Sequence, residues 1–474
     1  ALVLAGGLAA GLVAGCGGDD EGGDTTTATT ARTVVRTVTQ TSTGQTVATT
    51  PVVPGTDAVG QIGSEGLSGV IRPFSANSPW NTPVQTLGVD PSSAELMREA
   101  RRRVGAIDEG DEEATGIRAQ ILNDPLFVNI RRWTVPVVDE TNGVPTPVYC
   151  RQPPLPPPND LCGDGWQVQE LLIPQGESPR PEFDGWFTVL NRREGVAYDL
   201  WRARRSADGT SISYQFMRQW DLNGPGFLVP NEVSARGSGL PLFAGLIFPE
   251  EIQAGRIEHA LAISVPAPAQ RNYVQPASST DGNGAQTSLP EGARIRLKRN
   301  VTLRSIQRRA RDPRCENQLF GVRNGRREEL CEPYEFLPRT NRVAADAIIT
   351  ALHRYGAIVV DRAAVPTLYA KFNFDWSQPM RNDDGQLLDD DGTTFSDEER
   401  REQTPLLRGN EVQGLRLADF EVVQLPRRID WPSEEPLIGP TLPGGLEGQE
   451  VLGEEGEQTS TTDRRQTFEP AGGG

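Results

Sequence analysis

The sequence predicts a mainly β fold, an antiparallel β-sandwich of jelly-roll type with a few inserted helices. Short runs of β-branched and aromatic residues recur from Phe127 to Leu425, several of them parted by turn-forming residues. Only two stretches carry convincing helical periodicity. No regular alternation of strand and helix suggests a parallel sheet.

The elements follow in order. A helix is expected over Ser92 to Val104, with Asp90-Pro91 as a start signal and Gly105 as a stop. Phe127 to Ile130 and Trp133 to Val138 read as short strands. A meander comes next: Trp166 to Ile173, Trp186 to Leu190, Val196 to Ala203 and Ile212 to Leu222, with turns at Arg193-Glu194-Gly195 and Asp208-Gly209. Ile257 to Val265 and Ala293 to Leu297 are further strands. The second helix runs from Arg342 to Tyr355, where Val343, Ala347, Ile348, Ala351, Leu352 and Tyr355 share one face. Gly356 ends it and Ala357 to Val360 resumes as a buried strand. Thr367 to Phe372 and Phe420 to Leu425 complete the set.

These elements occupy residues 69–426, a stretch apolar enough to bury a sizeable core. The flanks differ. Residues 1–15 form an apolar run too short for a bilayer, which needs about 20 such residues, and suited to a partial signal peptide. The run closes on Val13-Ala14-Gly15-Cys16, which resembles the lipobox of bacterial lipoproteins. That resemblance implies a lipid on Cys16 and anchorage to a membrane, facing outward. Residues 16–68, rich in Gly, Asp and Thr, read as a flexible tether, and residues 427–474 as a disordered acidic tail.

Four further cysteines fall into two neighbouring couples. Export places them where disulfides persist, and short loop closure favours Cys150 with Cys162 and Cys315 with Cys331. Zinc is the competing use, but neither a CxxC pair nor a nearby His occurs. The net charge of −17 argues against a nucleic-acid partner. The acidic run Asp389-Asp390-Asp391-Gly392 with Glu398 invites calcium, yet Leu387 holds the first ligand position of an EF-hand, so a solvated charge run is expected, with an irregular, weak calcium site as the alternative. No metal and no cofactor are expected.

Several segments together resemble a family of secreted bacterial proteins. They are Pro79-Trp80-Asn81-Thr82, the block from Gly239 to Ile247 that runs on through Glu251, Gly255 and His259-Ala260-Leu261, then Gly292 to Leu297 and Leu352 to Asp361. The likeness spans most of residues 69–426. It implies export and lends no activity. The cysteine-bearing inserts and the acidic stretch Asp383 to Glu399 depart from the pattern.

Chemistry is sought in the two histidines and in acids beside aromatic rings. His353 reads as solvated. His259 shares a strand face with Ile257 and Leu261, which makes it a core histidine or, beside a carboxylate in a cleft, a general base. Asp199 and Trp201 share a strand face, and Asp221 follows Trp220. A sugar stacks its C–H face on an indole while its oxygens need acids and hydrogen-bond partners. The expected set is therefore catalytic Asp199, Asp221 and His259 with substrate-binding Trp186 and Trp201. Ser238 lacks the setting of a nucleophile elbow and is assigned to a turn. The expectation is an envelope lipoprotein that binds or cleaves an extracellular glycan. The alternative is a non-enzymatic surface module for a protein or wall partner.

Overall fold

The computed structural model describes residues 72–102, 126–151, 162–306 and 341–432, the last without 364, 383, 389–391, 393, 395–403 and 413, together with the backbone of 319–323 and 326–330. All of these belong to one compact unit, Gln61–Gly474. Cys16, Cys315, Cys331, the signal segment, the tether, most of the acidic stretch and the tail beyond Pro432 lie outside the described residues.

The first elements are α1 (Ser93–Arg102), β1 (Phe127–Asn129), β2 (Val137–Asp139), β3 (Gly143–Cys150), β4 (Glu170–Pro174), β5 (Phe187–Asn191) and β6 (Val196–Trp201). They are followed by β7 (Arg204–Arg205), β8 (Ile212–Tyr214), β9 (Phe216–Asp221), α2 (Pro249–Gln253), β10 (Leu261–Val265), β11 (Asn272–Tyr273) and β12 (Arg294–Leu297). The rest are β13 (Leu319–Arg323), β14 (Arg326–Leu330), α3 (Arg342–Arg354), β15 (Ala357–Arg362), β16 (Thr367–Tyr369), β17 (Phe420–Val422) and β18 (Ile429–Asp430).

The fold is mainly β, as expected, but its three larger sheets are mixed and none is closed. One has six strands in the order β1-β16-β10-β15-β12-β17, and the other two have four each, β2-β5-β6-β9 and β4-β3-β8-β7. Parallel pairing occurs in every one, between β10 and β15, β1 and β16, β2 and β5, and β3 and β8. The antiparallel sandwich expectation is corrected on this point. Helix α3 feeds directly into β15, which lies parallel to β10, although the intervening chain is too long for a repeating strand–helix rhythm to be visible.

Side-chain alternation stacks these layers. On β10, Leu261, Ile263 and Val265 enter a core shared with Leu96, Met97 and Ala100 of α1 and with Ala344, Ala347, Ile348, Ala351 and Leu352 of α3. Ala262 points the other way, with Ile358 and Val360 of β15, into a core against Ala197 and Trp201 of β6 and Trp220 of β9. The far face of that four-stranded sheet, with Val189, Tyr198, Leu200 and Met217, packs on Val148, Ile173 and Ile212 of the third sheet. The order is helices, six-stranded sheet, four-stranded sheet, four-stranded sheet.

Local signals explain the ends of α3. Asn341 accepts a hydrogen bond from the Ala344 amide at its start, and Gly356, at φ 71°, turns the chain after Tyr355. Strand β3 is not foreseen by the sequence because Pro145 and Pro147 interrupt it. It pairs with β4 through residues 143–147 and with β8 only through residues 148–150, so both prolines sit where a single side of the strand is paired. Pairing also continues past Pro426: β18 joins β11, and Trp431 is buried against Tyr273.

Candidate functional site

A groove of about 380 Å³ opens beside the edge of β9. One wall is the short 3-10 turn Asp164–Gln167, which presents Asp164 and Trp166; the other is β9 with Arg218, Gln219 and Asp221. Trp166 is 39% exposed, a large apolar surface left in solvent. Asp164 accepts the Gln219 amide at 2.8 Å and lies 3.4 Å from the Arg218 guanidinium, which also donates to the Val233 carbonyl. Asp221 is exposed, and its Oδ1 accepts the Asn223 amide.

The turn is held against β9 by three devices. Cys162 is bonded to Cys150 at the end of β3, with Cα atoms 5.9 Å apart, as the sequence predicted. Gly163, at φ 62°, lies so close to β9 that a Cβ would fall 2.2 Å from the Met217 carbonyl oxygen. Tyr214 donates its hydroxyl to the Gly165 carbonyl at 3.0 Å and leaves no room for a side chain at Gly165.

The predicted site residues do not converge on this groove. Asp221 alone lines it. Asp199 is fully buried and accepts three hydrogen bonds, from Thr188 Oγ1 (2.5 Å), Trp220 Nε1 (2.8 Å) and the Leu242 amide (2.7 Å). Burial pushes its pKa up to about 6, against the pull of those donors and of Arg236. Asp221 pairs with Val196, three residues from Asp199, and that odd offset sends the two carboxylates to opposite faces of the sheet. Trp186 and Trp201 are buried in the central core, with Arg236 and Arg202 respectively stacked over their rings.

His259 is buried beside Glu251 of α2. Its Nε2 lies 2.9 Å from a Glu251 carboxylate oxygen and its Nδ1 lies 2.9 Å from the Ala260 carbonyl. Both neighbours are acceptors, which favours the doubly protonated ring and its ion pair with Glu251. Burial, the largest single influence, favours the neutral ring, but Glu251 and the Ala260 carbonyl outweigh it and hold the pKa above the usual histidine value. His353 is half-buried rather than solvated, its Nε2 2.8 Å from the Val301 carbonyl.

A second group of polar side chains lies at the carboxyl end of β10 and β15, between the six-stranded sheet and its four-stranded neighbour. Asp361 is the penultimate residue of β15, Asp281 and Glu291 come from the connection between β11 and β12, and all three are buried. Arg236 approaches Asp361 at 3.9 Å with its guanidinium between the rings of Trp186 and Tyr369. Burial, and then the charges of Asp281 and Asp361, raise the Glu291 pKa well above the carboxylate range. His259 precedes β10 at its other end. The five residues from there to Ser264 span roughly 16 Å, so the histidine and this group are separate.

Sequence reasoning missed Trp166 as a surface ring because it was placed in a strand, and the available signal was Cys162-Gly163-Asp164-Gly165-Trp166, two glycines around an acid after a cysteine. It also passed over Asp281 and Glu291, whose signals were Thr280-Asp281-Gly282-Asn283 and Pro290-Glu291-Gly292. No protein-family model, no curated protein and no solved structure matches the chain.

Proposed function

We propose that this chain is an exported protein, held at the membrane by a lipid on Cys16, that binds an extracellular glycan in the groove beside β9. The observation that carries the reading is the pairing of the exposed Trp166 indole with Asp164, Gln219 and Asp221 in one open groove. A sugar ring offers an apolar face for the indole and a rim of hydroxyls for acids and amides. The address is supported by the apolar run and the Val-Ala-Gly-Cys ending. Binding is favoured over cleavage because Asp199 and His259 are buried away from the groove and already hold protein partners.

The test is retention of the purified chain on a panel of soluble and insoluble polysaccharides, with product analysis of the same mixtures. Binding to at least one glycan is expected, without chain shortening. Trp166→Ala weakens it about tenfold or more, and Asp221→Asn weakens it less. Failure to bind any glycan, or affinity unchanged in Trp166→Ala, overturns the proposal.

A further inference from the structure

The buried acids at the end of β15 form a site of a different kind from the groove. One oxygen each of Asp281, Glu291 and Asp361 lies within 4.8 Å of the other two, and the residues are 3%, 0% and 9% exposed. Glu291 and Asp281 are each steadied by the protein through one oxygen, and Asp361 through both, its Oδ2 lying 3.9 Å from Arg236 Nε. Glu291 Oε2 accepts the Asp281 amide at 3.2 Å, Asp281 Oδ2 lies 3.4 Å from Arg362 Nε, and Asp361 Oδ1 accepts the Arg362 amide at 2.8 Å. The second oxygens of the first two are a separate matter: Asp281 Oδ1 and Glu291 Oε1 accept no hydrogen bond although both are shut away from solvent.

Buried carboxylate oxygens without donors are costly unless a proton or a cation joins them. A cation is the alternative to the proton: with all three ionised, Asp281, Glu291 and Asp361 outnumber the guanidinium groups of Arg236 and Arg362 that lie beside them. The donor set is oxygen alone, which selects a hard ion over zinc or copper. Calcium binds oxygens at about 2.3–2.6 Å, so two opposed ligands stand up to roughly 5 Å apart, and oxygens within 4.8 Å of one another accommodate it. Asp281, with Arg362 beside Oδ2 and no donor on Oδ1, has the arrangement of a ligand oriented from behind.

We propose that Asp281, Glu291 and Asp361 bind one hard divalent cation, calcium first among them, and that the ion fastens the β11–β12 connection to the end of β15. The test uses the full chain stripped with EDTA and titrated separately with calcium, magnesium and manganese chloride, by calorimetry and by thermal unfolding. About one equivalent of calcium is taken up, and at 100-fold excess over Kd the unfolding midpoint rises by about 5 °C. Glu291→Gln and Asp361→Asn weaken uptake at least tenfold, whereas Asp221→Asn leaves it unchanged.

Two results overturn the proposal. Unaltered protein that takes up none of the three ions, with an infrared carboxylic-acid band that vanishes in Glu291→Gln, shows that a shared proton joins Asp281 and Glu291. Full uptake retained in both Glu291→Gln and Asp361→Asn places the ion elsewhere in the chain. Because the titration of unaltered protein decides the first point, a variant that fails to fold does not shield the proposal. Glycan retention is measured on the same samples, so loss of one reading is distinguishable from loss of the other.

Discussion

Asp199 is the residue at which a catalytic and a structural role predict opposite results. It is fully buried, and three donors converge on it from β5, β9 and the chain leading to β10. Its folded pKa of about 6 stands above the reference value of 3.8. That gap corresponds to roughly 3 kcal/mol. The sign follows from proton linkage: the stability linked to this raised pKa is fully present below pH 3.8 and is lost as pH rises through about 6. Asp199→Asn keeps an oxygen for Trp220 and Leu242, turns an amide toward the Thr188 hydroxyl, and has no charge to bury. Measured by urea unfolding, the variant gains on the unaltered protein by about 3 kcal/mol between pH 3.5 and pH 7.5. Asp199→Ala orphans the Trp220 and Leu242 donors and costs about 2–6 kcal/mol at low pH. A variant Asp199→Asn that folds with unchanged stability at both pH values refutes the burial argument. One that folds normally yet abolishes action on a glycan restores the catalytic role.

Three further outcomes are expected. Replacing Cys150 and Cys162 by Ser removes a link of sequence separation 12, costs about 3 kcal/mol in denaturant unfolding and weakens glycan retention, because the groove wall loses its tie to β3. Gly163→Ala forces a side chain into a left-handed turn and into Met217; it costs at least about 2 kcal/mol, and glycan retention falls further than in the cysteine variant. His259→Gln strands the Glu251 carboxylate and costs about 3–5 kcal/mol at pH 6. The His259 pKa is raised, so the pair's contribution is present below pH 6.5 and fades as pH rises through the folded value; the variant and the unaltered protein therefore converge in unfolding scans as pH rises above that value.

Elements with one dominant periodicity were legible. The apolar positions of α3 recur at helical spacing between Asn341 and Gly356, and the strands β5, β6, β10, β12 and β15 are continuous β-type runs, so residue type and local geometry agree. Strand β3 was not, because two prolines contradict a strand until it is known which of its sides goes unpaired. Pairing direction was also hidden. Parallel β10 and β15 are joined only after nearly a hundred residues, and nothing local to either run specifies its neighbour. The disulfide between Cys150 and Cys162 was legible because chain proximity alone restricts the partner.

The site was harder to read because its residues depend on where the backbone breaks its own pattern. Along β15, Ala357 and Val359 face the helices while Ile358 and Val360 face the four-stranded sheet. Strict alternation therefore assigns Asp361 to the helix side. The register slips between Ile263 and Ser264, so that Ser264 pairs with Asp361 rather than Val360, and the bulge swings this carboxylate toward Arg236 and Tyr369. Asp199 is the converse case. It keeps the alternation the sequence implies and shares the face of Trp201, and that regularity carries it into a packed interior where its oxygens are consumed by Thr188, Trp220 and Leu242. Periodicity thus identifies which residues pack, whereas Asp361 reaches the buried polar group where periodicity fails.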